Sequence, residues 1–185
     1  MSKVYYLLFT FLGFSCAIAT KSTDASSYSK SNNHVLEFCG DTLYLPRIDS
    51  FEIFISHFAY DLVYNEIHEQ AKWVFYKLDS SRINGPISRT DKFKIDPLIE
   101  TGSANHNDYR GSGFDRGHLA PAGDMTWSFR AMNESFYYSN MSPQVPSFNR
   151  GIWKKLESMV RSWVTDFDSI YVTTGPVLEL NLSSI

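Results

Sequence analysis

Apolar positions along this chain change period several times, and each change marks an element. Residues 35–38 and 42–45 are short apolar runs on either side of Gly40-Asp41, the pattern of two brief strands. Residues 58–64 and 71–78 alternate and are rich in aromatic and β-branched side chains, with Trp73, Val74, Phe75 and Tyr76 at the centre of the second run. Both predict strands. A turn-rich connection follows over 80–86, then a mixed segment, 93–99, broken by Pro97. Residues 105–113 form a polar loop carrying Gly111 and Gly113, and 114–119 leave it as a strand-like segment. Residues 128–136 predict a short helix or turn. Over 149–167, Ile152, Trp153, Leu156, Met159, Val160 and Trp163 fall near one helical face, with Ser147 or Asn149 as the cap. Residues 169–174 are a β-branched strand running into Gly175-Pro176. There is no internal repeat.

The N-terminus follows a different pattern. Lys3 precedes an almost uncharged run from Val4 to Ala19 centred on Leu7, Leu8, Phe9, Phe11, Leu12 and Phe14, and Ala17-Ile18-Ala19 is an A-x-A-type cleavage site. This is the layout of an export signal. The run is shorter than the ~20 apolar residues of a spanning helix, so no stable membrane association is expected. Cys16 offers lipid attachment as an alternative, for which Gly13-Phe14 before Ser15-Cys16 is a poor context. Residues 20–33 are rich in Ser, Lys and Asn and read as a flexible leader. The expected organisation is a signal peptide over 1–19, a leader over 20–33 and one domain over 34–185, in a protein exported to the periplasm or the medium. Removal of the signal leaves Cys39 alone, so an intramolecular disulfide is excluded.

With 14 Phe, 11 Tyr and 4 Trp in 185 residues, the chain can build a substantial core. The formal net charge of −3 excludes a strongly basic protein that coats nucleic acid, yet leaves room for a local positive site. Arg150, Lys154, Lys155 and Arg161 outnumber Glu157 along one helix. They form either an ordinary solvated face or part of such a site.

The chemistry concentrates in Asp115-Arg116-Gly117-His118. Arg116 offers a fork of donors to phosphate oxygens, His118 can take a proton from water, and Gly117 permits close backbone approach or a positive φ. This tetrapeptide resembles the signature of the DNA/RNA non-specific endonucleases. The likeness continues in order through Trp127, Met132-Asn133, Phe136 to Gln144, Phe148 to Trp153, Leu156-Glu157 and Tyr171 to Pro176. Upstream it takes in His57 to Tyr60 and Glu69 to Val74.

The resemblance implies an α+β fold: a ββα-metal nuclease core on a mainly antiparallel sheet with flanking helices, with the C-terminal part of the usual domain missing. It implies hydrolysis of phosphodiester bonds in DNA and RNA, giving 5′-phosphate ends. His118 is then the general base, and Asn149 the single direct protein ligand to Mg²⁺, for which Mn²⁺ can substitute. Glu157, two helical turns on and ~12 Å along the axis, holds water around the metal. Asn140 positions the base and metal, Arg89 contacts the substrate phosphate, and Arg116 contacts phosphate or braces the loop through Asp115. Asn140-Met141-Ser142 is also a glycosylation sequon, but a glycan there would collide with the site. His34, His57, His68 and His106 show no paired metal spacing, so zinc is unsupported. The alternative is a truncated, inactive fragment of the nuclease fold that at most binds nucleic acid. Oligomeric state is not legible.

Overall fold

The computed structural model describes residues 45–167 and 169–178, together with the backbone of Phe11–Leu12. The expected export signal (that pair apart), leader, both strands before residue 45, His34 and Cys39 lie outside the described residues, as do residues 179–185.

The main sheet is antiparallel, in the order β1-β7-β4-β3-β2. Its strands are β1 (Phe11–Leu12), β2 (Ile53–Ser56), β3 (Asp61–Asn65), β4 (Gln70–Asp79) and β7 (Ser169–Thr174). A separate antiparallel hairpin pairs β5 (Asp115–His118) with β6 (Met141–Gln144). Helices α1 (His106–Tyr109), α2 (Phe129–Glu134), α3 (Pro146–Phe148) and α4 (Lys154–Trp163) connect or flank the strands. A π-helical turn, Asn149–Trp153, joins α3 to α4. The sequence β5, β6, α3–α4 is a ββα unit, and the whole is an α+β fold.

Period-two alternation explains the two cores. Along β4, Val74, Tyr76 and Leu78 join Val160 and Val164 at the helix side in the main core. The intervening Trp73 and Phe75 pack on the opposite face with Val63. The hairpin is fastened to this sheet by Ser142, whose hydroxyl donates to the Gln70 amide oxygen at 2.9 Å.

Several expected boundaries shift. The alternating run at 58–64 is not one strand: His57 N–H donates to the Tyr60 carbonyl in a turn, and β3 starts only at Asp61. The strand β2 was not anticipated from the sequence. Neither was β6, because all four of its residues are buried and Pro143 lies within it. In a two-stranded hairpin each strand keeps one unpaired side, which accommodates a residue without an N–H. Neither Ser147 nor Asn149 caps the long helix. Pro146 opens it from the first turn, behind Val145, and no side chain caps it. The π-turn then rotates the apolar stripe: Trp153 and Val160 are buried, while Ile152 and Met159 are exposed.

Gly85 requires its missing side chain. A Cβ there would lie 2.2 Å from the Thr126 carbonyl oxygen and 2.5 Å from the Trp127 Cα, both backbone atoms. The contact lets the segment carrying Arg89 run beside residues 126–127, where Ile87 N–H donates to the Thr126 carbonyl at 2.9 Å. Gly85→Ala is expected to cost about 1–3 kcal/mol through overpacking. Urea unfolding measures it, and an unchanged midpoint would show that the two segments are not in contact.

Candidate active site

The site is built where the hairpin meets the π-turn. At the hairpin, Gly117 has an ordinary negative φ and serves only close approach. A Cβ on it would stand 2.2 Å from Cδ of Gln144, a side chain buried against the motif from β6. Asn140, fully buried, continues the hairpin ladder beyond His118. Its amide oxygen accepts from Ala120 N–H at 2.8 Å, and its amide nitrogen donates to the carbonyls of Ala120 and Ser135 at 2.9 and 2.8 Å. Asn140 therefore holds the chain on both sides of the motif, and its committed, buried amide is no glycosylation site.

Asp115 links the hairpin to the helix. Arg150 grips its carboxylate with two donors, at 2.8 and 2.6 Å, and the Asn149 amide nitrogen adds a third bond at 2.9 Å. These bonds, Arg150 first, hold the Asp115 carboxyl below the usual carboxylate range. The brace on Asp115 is thus Arg150, whereas Arg116 lies over the Phe93 ring at 4.1 Å. The Trp153 indole N–H makes a long contact, 3.4 Å, to the His118 carbonyl.

His118 is buried against aromatic rings. Phe136 meets it edge-on with centroids 5.0 Å apart, and Phe93 lies 5.9 Å away. Its Nε2 is buried and has no hydrogen-bond partner among the described residues. Desolvation, reinforced by the Arg89 guanidinium, lowers its pKa from 6.5 to about 3. The imidazole is therefore neutral across the physiological range. Arg89 sits over Phe136 at 5.0 Å and pairs with Asp91.

An open cleft of about 570 Å³ brings together His118, Asn149, Glu157, Arg89 and Arg116, with Arg150, Lys154 and Arg161 on its walls. Five cationic side chains face one ionisable carboxyl, a setting that attracts a polyanion. Asn140 lies behind this cleft. Asp124 and Tyr76, which support Arg161, were the residues that sequence reasoning missed. The Arg161 guanidinium donates to Asp124 at 2.6 Å, and the buried Tyr76 hydroxyl donates to the other Asp124 oxygen at 2.7 Å. Two signals were available: Arg161 stands four residues after Glu157, hence on the same helix face, and Asp124 is a lone charge in a small-residue segment.

The donor set fits a hard cation. Asn149 spends its amide nitrogen on Asp115, which leaves Oδ1 as its free acceptor, and Glu157 brings a carboxyl to the same cleft. Oxygen donors in this small number suit Mg²⁺ or Mn²⁺, which keep several waters. Among the described residues no cluster of three or more His, Cys, Asp and Glu could hold a metal.

The chain has known relatives. A family model described as DNA/RNA non-specific endonuclease matches residues 49–185. The chain belongs to that family. Within this endonuclease family, it is 41% identical over 124 residues to human "Endonuclease G, mitochondrial", covering 66% of this chain and 42% of the relative. It is 43% identical over 129 residues to "Nuclease C1" of Cunninghamella echinulata var. echinulata, covering 67% and 51%. The chain spans about half the length of these curated relatives. A solved structure titled "Crystal structure of the EndoG/EndoGI complex: Mechanism of EndoG inhibition" superposes with a TM-score of 0.65 at 36% identity, covering 76% of this chain and 60% of that one.

Glu157 yields a stability prediction. Burial first, then the nearby Asp124 charge, raise its pKa from 4.5 to about 7, against the opposing pull of Arg161, Arg89 and Lys154. Between those two values the folded protein holds a proton that the unfolded chain has released, so stability falls as pH rises through this window. Glu157→Gln, measured without metal, should melt at a higher temperature than the parent at pH 8 and at the same temperature at pH 4. Equal midpoints at pH 8 would contradict the buried carboxyl.

Proposed function

We propose that this chain is a metal-assisted endonuclease that hydrolyses phosphodiester bonds in both DNA and RNA, leaving 5′-phosphate and 3′-hydroxyl ends. The observation that carries the reading is a neutral, buried histidine in the same cationic cleft as a free asparagine oxygen. His118 takes the proton of the attacking water. With Nε2 buried, Nδ1 is the ring nitrogen left to receive it. As the new bond to phosphorus forms, the bond to the 3′ oxygen breaks, and that oxygen takes a proton from water to give the 3′-hydroxyl. Arg89, Arg116 and Arg161 bind the phosphate oxygens and oppose the charge that develops on them. Bound at the Asn149 oxygen, Mg²⁺ or Mn²⁺ supplies charge neutralisation at the phosphate. Glu157 orients water beside that position, and its proton affinity is matched to neutral pH. Contacts to phosphate carry no base information, so cleavage is not sequence-specific.

The layout Lys3, apolar run and Ala17-Ile18-Ala19 supports export with cleavage after Ala19. Mass spectrometry of exported material should find an N-terminus near Thr20, and an intact Met1 on cytosolic protein would refute this.

Supercoiled plasmid and single-stranded RNA should both be cut to smears with Mg²⁺, and neither in EDTA. His118→Ala protein, shown by circular dichroism to be folded, should lose at least the roughly 10²–10⁴-fold that general-base catalysis contributes. Near-parental nicking by that variant, or undiminished activity after exhaustive chelation, would overturn the mechanism.

A further inference from the structure

All eight arginines of the chain lie among the described residues, and six of them are in salt bridges. The two with no salt bridge among the described residues, Arg110 and Arg116, line the same secondary cleft of about 250 Å³. Three arginines share that cleft with a single carboxylate. Its one carboxylate, Asp115, is already gripped by Arg150 through two bonds and by Asn149 through a third. Arg89 adds a further positive charge to the wall. Like charges converging without counter-charge are unfavourable unless an anion completes them.

The local structure places both residues at this cleft. The Arg116 guanidinium lies 4.1 Å from the centre of the Phe93 ring, a cation–π contact beside the cleft, and its N–H donors suit a planar or tetrahedral oxyanion. Arg110 closes α1, with its N–H bonded to the His106 carbonyl at 3.1 Å, and Gly111 turns the chain away at φ 75°. The secondary cleft is continuous with the cleft of His118, since Arg89, Arg116 and Asn149 line both.

We infer that this secondary cleft is a subsite for the phosphodiester next to the scissile one in a polynucleotide, with Arg110 and Arg116 as its anion-binding residues. The inference rests on the proposed nuclease reading. A strand whose scissile phosphate lies between His118 and Asn149 must leave the main cleft somewhere, and here it meets Arg110, which lines this cleft alone, beside Arg116, which lines both. The enzyme then selects for substrate length, because a dinucleoside monophosphate carries the scissile phosphate and no other.

The test compares Arg110→Ala with Arg47→Ala, which removes one surface charge elsewhere. On a single-stranded 12-mer, Arg110→Ala should lower kcat/KM roughly tenfold, the value of one charge-assisted hydrogen bond. On a dinucleoside monophosphate it should change turnover less than about twofold, and Arg47→Ala should alter neither. Equal losses on both substrates, or none on the 12-mer, would overturn the subsite. Binding gives a second readout that needs no turnover. In a His118→Ala background, Arg110→Ala should reduce the slope of log K against log salt for the 12-mer by about 0.7, one lost phosphate contact. An unchanged slope would overturn the subsite as well. If the parent protein binds the 12-mer with an Arg110-dependent slope yet cuts nothing, the subsite stands and the hydrolytic reading falls.

Discussion

Everything in the site depends on the three bonds that Asp115 accepts from Arg150 and Asn149. They are side-chain bonds between the first residue of a strand and two consecutive residues of a π-turn. Trp153 adds a long bond from its indole N–H to the His118 carbonyl. With them the Asn149 amide has one allowed orientation. Its nitrogen faces Asp115, so its oxygen is free for a cation. A π-turn is less favourable than an α-turn, and such turns recur at functional sites because they re-aim side chains. Here the turn supplies two donors to one carboxylate from neighbouring positions.

The second constraint is solvation. His118 and Glu157 share one cleft, and burial moves them in opposite directions. The histidine is held neutral by desolvation and Arg89, while the carboxyl is raised toward neutrality by desolvation and Asp124. Each is pushed to its uncharged form, which costs stability in the case of Glu157 above its folded pKa. Strain of this kind is common where a site must bind charge. Asp124 is part of the same arrangement. It is buried between Tyr76 and Arg161, and thereby ties the cleft wall to β4 of the main sheet.

The sequence was most readable where residue type alone dictates chemistry. His118, Asn149, Glu157, Arg89 and Arg116 meet in one cleft, and all were named from the resemblance to the endonuclease family that the Asp-Arg-Gly-His motif and the blocks after it carry. The strands β4 and β7 were legible because their apolar positions alternate on a sheet with two covered faces. What escaped was set by contacts distant in sequence. The partner of Asp115 depends on the π-turn register, which no local pattern encodes. The strand β6 has no exposed face and carries a proline, so its periodicity is silent. Ile152 and Met159 matched the helical stripe, yet the same π-turn rotates them outward. Asp124 drew no reading from the sequence, because its partners Tyr76 and Arg161 lie 48 residues earlier and 37 residues later.

The central claim is that the hairpin and aromatic walls hold His118 neutral and ready to accept a proton. NMR titration of the metal-free protein tests it directly, with the His118 resonances assigned by their loss in a His118→Gln spectrum. The account predicts an imidazole that stays neutral to below pH 5, apart from any histidine that titrates in the ordinary range. A His118 that protonates near pH 6.5 would contradict it.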